Sequence, residues 1–411
     1  MERRKPLAAL ATDRQDHLVV TGGRGAPSSP AEWAPHAQRV GIYLHIPFCH
    51  QRCFYCSFNT GLYQPAAMGR FLRALEREIE LVGAAPWARD VAVGTVFFGG
   101  GTPSLLEADE LGGILDRLRK GFTFAEDVEI TAECNPESAS REKLEGYRLA
   151  GVNRVGLGVQ SLDDSLLRRL GRLHSSHEAH RAIEAVRAAG IKNLSVDLMY
   201  GLPGLELPAW EATVRGVFAW GPEHLSAYAL TLDEGSHWAS QGAADLPGEE
   251  AVTGQYWLLT ALARERGYAH YEISNYCRPG SASRHNQVYW KGEEYVGLGP
   301  GGCGFLGEVR YGNVKPVERY RAMLEAGEFP IGQAEWLSLR ERQGERLILG
   351  LRLAEGVPLR WLEARVAEEP TRLGPLVETW KRLGFMAVEA GRVRLTEAGF
   401  LLSDSLFVEL L

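Results

Sequence analysis

Short apolar runs alternate with stretches of helical periodicity between residues 41 and 230. The runs at 41–46, 94–98, 128–132, 154–159, 193–198 and 224–230 have the length and composition of buried strands. Between the first two, Met68, Phe71, Leu72, Leu75, Ile79 and Val82 recur at the spacing of one helical face. Ser175 and Glu178 form a capping box before another helical segment, and Gly190 supplies its stop. Strands that alternate with helices predict parallel pairing and right-handed crossovers. Six such units suit the α/β class: an open, partial TIM-like (β/α)6 barrel. Its chemistry is expected at the C-terminal ends of the strands.

The rhythm breaks on either side. Residues 1–39 are rich in Gly, Pro and Ser and read as a flexible leader. The barrel is assigned to 40–250 and a connecting region to 251–334, where Gly, Asn and Tyr accumulate. Residues 335–411 read as a smaller α+β unit: helical segments, then a hairpin about Ala390-Gly391, then a last helix. That order predicts a C-terminal winged-helix-like domain.

Charge removes the nucleic-acid reading such a domain invites. The chain carries a formal charge of −7. Residues 335–411 hold 11 Lys/Arg against 12 Asp/Glu, with no basic stripe. No apolar run approaches ~18 residues, so no membrane span is expected. Charges interrupt every apolar stretch of the first 20 residues, so no signal peptide is expected either. Six cysteines, three of them clustered, suggest a reducing cytoplasm. Cys134, Cys277 and Cys303 are scattered and read as ordinary thiols.

The clustered three carry the candidate chemistry. Cys49, Cys53 and Cys56 fall in the loop after the first strand, which Pro47 ends. Three thiolates on one loop can hold three irons of a 4Fe–4S cube and leave the fourth iron open. A zinc scaffold is the alternative, with His45 or His50 as a fourth ligand. Structural zinc sites more often show two separated pairs of ligands. After the second strand, Gly99-Gly100-Gly101-Thr102-Pro103 lets backbone approach a ligand closely. Glu133, Gln160 and Asp197 stand at or near the ends of the third, fourth and fifth strands, an acid, an amide and an acid on one face. Carboxylates suit ribose hydroxyls and amines, and an amide suits an adenine edge or a carboxylate.

With its flanking IYLHIPFC and FYCSF, and FFGGGTPS downstream, the cysteine triplet resembles that of the radical S-adenosylmethionine (SAM) proteins of the HemN/HemW group. That group holds oxygen-independent coproporphyrinogen III oxidase and a related heme chaperone. The resemblance implies that Cys49, Cys53 and Cys56 bind the cluster and that SAM chelates its open iron. It implies that Gly100, Gly101 and Thr102 form the methionine-binding motif, and that Glu133, Gln160 and Asp197 bind SAM. Arg172 matches a position that can pair with a carboxylate, and Tyr43 and Tyr55 match positions facing the cluster and SAM.

Two features point to the chaperone branch. Phe58 stands where the oxidase would carry a fourth cysteine. His285-Asn286-x-x-Tyr289-Trp290 is similar to a chaperone string, which makes His285 the candidate heme ligand. Cys303 departs from the pattern, standing where chaperones carry a histidine. The resemblance therefore implies heme as a third bound group, contacted from 251–334 and delivered to respiratory hemoproteins. The oxidase is the alternative, with coproporphyrinogen oxidation disfavoured. Peripheral membrane contact and an oligomer stay open.

Overall fold

The computed structural model describes residues 19–21 and 29–410. Most of the expected flexible leader therefore lies outside the described residues. Its described end is fastened to the barrel. Trp33 is buried against Tyr311, with ring centroids 5.2 Å apart. The N–H groups of His36 and Ala37 donate to the Glu294 carboxylate at 3.1 and 2.6 Å.

Six parallel strands follow one another in the sheet in chain order: Arg39–Ile46, Ala92–Gly100, Thr123–Cys134, Arg154–Gln160, Asn193–Tyr200 and His224–Ala229. Both faces of the central strands are covered, which is why they read as continuous apolar runs. Helix Pro65–Gly83 buries Met68, Phe71, Leu75, Ile79 and Val82 against the sheet, while Leu72 is only partly buried. The capping box forms: Ser175 Oγ accepts from the Glu178 N–H, and the Glu178 carboxylate accepts from the Ser175 N–H at 2.7 Å. Gly190, at a φ of +81°, turns the chain after that helix.

The stretch assigned to a connecting region adds strands to the same sheet. Tyr295–Leu298 pairs in parallel with the first strand, and Cys303–Leu306, Val309–Asn313 and Ile331–Trp336 follow antiparallel. On the far edge, Asn275–Cys277 and Ala269–Glu272 pair antiparallel beyond the sixth strand. With Val19–Thr21, the sheet has thirteen strands among the described residues. These added strands are three to six residues long, too short for an alternation of polarity to announce them. Glu78 on the first helix pins this extension. It accepts from the Gly299 N–H at 2.8 Å, Asn313 Nδ2 at 2.6 Å and the Tyr320 hydroxyl at 2.6 Å.

The C-terminal unit is α+β as expected, with its own core of Leu347, Leu351, Leu373, Trp380, Val393 and Phe407. Val357–Pro358, Arg392–Leu395 and Met386–Glu389 form its small antiparallel sheet. Ala390 and Gly391 turn the hairpin with φ of +49° and +75°, the pair of positive values a two-residue hairpin turn requires. The unit is tied to the barrel by Tyr256, whose hydroxyl donates to the Glu397 carbonyl at 2.8 Å, and by the Arg264–Glu397 ion pair. Among the described residues no helix is long and apolar enough to cross a membrane.

Candidate functional site

The cysteine loop is clamped at both ends before its thiols come into play. Phe48–Cys49 pairs with Gly61–Leu62, closing the loop. The Phe54 N–H donates to the Leu170 carbonyl at 3.1 Å, and Gln51 Nε2 donates to the Gly171 carbonyl at 3.0 Å. Asn59 Nδ2 reaches the carbonyls of Pro300 and Lys315, both at 2.9 Å. Cys49, Cys53 and Cys56 are free thiols, part-exposed into one cavity of about 480 Å³. Thr102 Oγ1 donates to Cys49 Sγ at 3.4 Å, and Arg172 Nη1 donates to Cys53 Sγ at 3.5 Å. Burial pushes the Cys49 and Cys56 thiols up, with the Thr102 hydroxyl opposing at Cys49 and the Phe58 N–H at Cys56.

Three thiols on one loop are soft donors. Among the described residues no three His, Cys, Asp or Glu side chains gather closely enough to hold a single metal ion. His45 is already engaged, with Nδ1 3.0 Å from the Tyr43 hydroxyl and Nε2 2.9 Å from the Asn59 carbonyl. His50 stands edge-on to the Tyr63 ring. With both nitrogens engaged, His45 offers a four-coordinate zinc no fourth ligand.

The glycine loop is pressed onto the cysteine loop. The Gly101 N–H donates to the Ile46 carbonyl and the Thr102 N–H to the Phe48 carbonyl, both at 2.8 Å. A Cβ on Gly101 would stand 2.5 Å from the Phe48 carbonyl oxygen. Gly100 has a φ of +106°, and a Cβ there would meet the His45 ring at 2.6 Å. Only glycine admits this approach.

Glu133, Gln160, Arg172 and Asp197 come together with Tyr55 on the walls of the same cavity as the cysteines. Burial, then the charge of Asp197, pushes Glu133 up to about 8. Burial likewise pushes Asp197 up to about 7, against the charges of Arg154 and Arg172. Gln160 holds a φ of +68°, and its Oε1 accepts from the Tyr228 hydroxyl at 2.9 Å. Arg172 Nη2 donates to Asn135 Oδ1 at 2.8 Å and to the Gly158 carbonyl at 2.7 Å. The cavity thus brings thiols together with acids, amides and a guanidinium, the donor and acceptor types that a group with a metal-bound head and a polar nucleoside requires.

Two expected residues lie elsewhere. Tyr43 lines a second, adjoining cavity of about 620 Å³, which shares Phe58, Phe97, Gly100 and Glu133 with the first. His285 reaches neither cavity. It is 1% exposed, with Nδ1 2.8 Å from Thr95 Oγ1 and Nε2 2.7 Å from the Tyr289 hydroxyl. Folded this way, His285 has no free nitrogen for an iron, so the expectation of a heme ligand there is set aside.

Asn135 and Arg154 escaped the sequence reading. Asn135 Nδ2 donates to Thr102 Oγ1 at 3.1 Å while its Oδ1 holds Arg172, joining the glycine loop to the guanidinium. Arg154 opens the fully buried fourth strand. Its Nη1 donates to Asn193 Oδ1 and the Ser281 carbonyl at 3.0 Å, and its Nη2 has no partner in the cavity wall. The signal was there: a lone charge in RVGLGVQ.

The fold and this cavity define a radical SAM protein with an appended domain. Residues 43–215 match the Radical SAM superfamily, and residues 337–402 match the HemN C-terminal domain. The solved coproporphyrinogen III oxidase HemN of Escherichia coli superposes with a TM-score of 0.80, covering 93% of this chain and 92% of its own at 22% identity. That likeness shows the fold.

Sequence similarity is closer to another branch. The chain is 38% identical over 397 residues to the heme chaperone HemW of Mycobacterium tuberculosis, covering 94% of this chain and 99% of the relative. It is 33% identical to the heme chaperone HemW of Bacillus subtilis, covering 89% and 97%. It is also 35% identical to the mitochondrial radical S-adenosyl methionine domain-containing protein 1 of Bos taurus, covering 85% and 80%. The chain belongs to the HemW family. Its radical SAM membership implies a 4Fe–4S cluster and SAM.

Proposed function

We propose that the protein is a heme chaperone that binds heme beside a SAM-binding 4Fe–4S core and delivers it to respiratory hemoproteins. The observation that carries this reading is the cysteine loop. Three thiols face one cavity, and the side chain at the position of an oxidase's fourth cysteine is Phe58, 62% exposed. Six free cysteines suit the reducing cytoplasm in which such a chaperone would work.

Cys49, Cys53 and Cys56 hold the cluster, which when bound supplies a low-potential electron. Gly100, Gly101 and Thr102 offer backbone and hydroxyl groups to the methionine end of SAM. Glu133, Gln160 and Asp197 offer acceptors and an amide to its nucleoside. Arg172 steadies the Cys53 sulfur and orients Asn135. Tyr55 closes the wall beside the thiols, and Tyr43 supports the first strand through His45.

Anaerobic reconstitution followed by heme titration, with and without SAM, tests the reading. The expected result is a 4Fe–4S spectrum, SAM binding and stoichiometric heme uptake, with no protoporphyrinogen formed from coproporphyrinogen. Formation of that product would replace the chaperone by the oxidase. A colourless, zinc-only protein would reject both.

A further inference from the structure

The second cavity has the chemistry of a porphyrin site, and its donor is not the histidine of the HNxxYW string. Tyr289, from that string, lines the cavity, and Tyr295 meets its ring edge-on at 4.7 Å. Phe58 faces them from the cysteine loop. These rings give flat apolar walls of the kind a macrocycle packs against. Lys315 and Arg52 stand on the same lining, where a porphyrin's propionates need cations. Lys315 is exposed and forms no ion pair with a described carboxylate. Among the aromatic walls stands one soft donor. Cys303 begins the strand Cys303–Leu306 and is exposed to the cavity, its sulfur held only by a long 3.8 Å contact to the Gly301 carbonyl. His45, the only imidazole of the lining, has both nitrogens engaged.

We propose that heme docks in this second cavity with Cys303 as its axial ligand through a thiolate. The inference rests on the heme-chaperone reading and specifies its site. On binding ferric heme, the Cys303 S–H bond breaks, its proton leaves to solvent and the sulfur's electron pair forms the Fe–S bond. Iron and sulfur keep their oxidation states. Although the residue is open to the cavity, the surrounding walls desolvate its sulfur and push the Cys303 thiol up, and the charges of Lys315 and Arg310 oppose this. Ligation by iron completes the deprotonation. Because the two cavities share Phe58, Gly100 and Glu133, heme would sit against the wall of the SAM site.

The test uses the full chain with its cluster in place, so that Cys49, Cys53 and Cys56 are not available to heme. Ferric heme is titrated and followed by absorption, magnetic circular dichroism and electron paramagnetic resonance. The wild type should give a thiolate-ligated spectrum. Cys303→Ser should lose that signature and weaken uptake about tenfold or more. Cys303→His should keep uptake with an imidazole-type spectrum, and His285→Ala should keep the thiolate type. The cluster absorption of each variant reports that it is folded. A thiolate signature unchanged in Cys303→Ser, or a wild-type spectrum of another ligand type, overturns this site while leaving the chaperone reading standing. Failure of the cluster-loaded wild type to take up heme at all overturns the chaperone reading itself, and this site with it.

Discussion

Nε2 of His285 lies 2.7 Å from the hydroxyl of Tyr289, one turn further along helix Arg284–Trp290. Thr95 Oγ1 occupies the other ring nitrogen, and burial pushes the imidazole down to about 3. The histidine is thus a neutral interior bracket that locks this helix to the second barrel strand. We expect His285→Ala to destabilise the fold by about 2–4 kcal/mol, through the cavity it leaves and the polar partners it strands. Denaturant unfolding would show this. A stability equal to wild type would refute the bracket.

The cysteine triplet and the remaining thiols should separate cleanly. Cys53→Ser should abolish the 4Fe–4S absorption and iron content after anaerobic reconstitution. Cys277→Ser, in a buried strand beyond the sixth, should keep both. Iron retained in Cys53→Ser would count against the loop as the cluster site.

Gly101 tests the contact between the two loops. A methyl group there meets the carbonyl oxygens of Phe48 and Ile46 at 2.5 and 2.8 Å, and backbone cannot step aside. Gly101→Ala should cost about 2 kcal/mol or more and lower iron retention, because the displaced partner is the strand bearing Cys49. Gly113→Ala is the control. It lies inside helix Ala108–Gly121 with open space around it, and should stabilise by about 0.5–1 kcal/mol. Equal midpoints for the two variants would argue against the packing described.

Glu78 should give stability a pH dependence of definite sign. Burial pushes its carboxyl up to about 7 in spite of three donors. A raised carboxyl pKa contributes stability that is whole below the unfolded value and is lost as pH rises through the folded one. Relative to wild type, Glu78→Gln should therefore gain stability from about pH 5 to about pH 8, on the order of 3 kcal/mol. Paired unfolding curves of the cluster-free protein at the two pH values decide it. A difference that is flat, or that runs the other way, contradicts the buried acid.

Local pattern carried much of this structure. The six barrel strands were legible because each is a short, mostly apolar run closed by a turn or helix signal, as in RVGLGVQ followed by the short helix Asp164–Leu170. The first cavity was legible because the barrel puts strand ends on one face, so Glu133, Gln160 and Asp197 had to gather near the cysteine loop. The hairpin at Ala390-Gly391 was likewise a matter of adjacent residues.

Partnership between distant segments was not legible. Arg154 reads as a strand's first residue until Asn193 and the Ser281 carbonyl are seen to hold it inside the barrel. The strands of the region 251–334, assigned as connecting, escaped notice because they are short, and a short strand is defined by the neighbour it pairs with. The role of His285 depended on Thr95, 190 positions away, and the second cavity on Tyr43, Tyr289 and Cys303 meeting around Glu133. Residue type and spacing determined which groups this chain can offer to iron, SAM and heme. Burial and long-range pairing decided which of those groups still have a free atom to offer, because a donor already satisfied in the interior gains little by exchanging its partner.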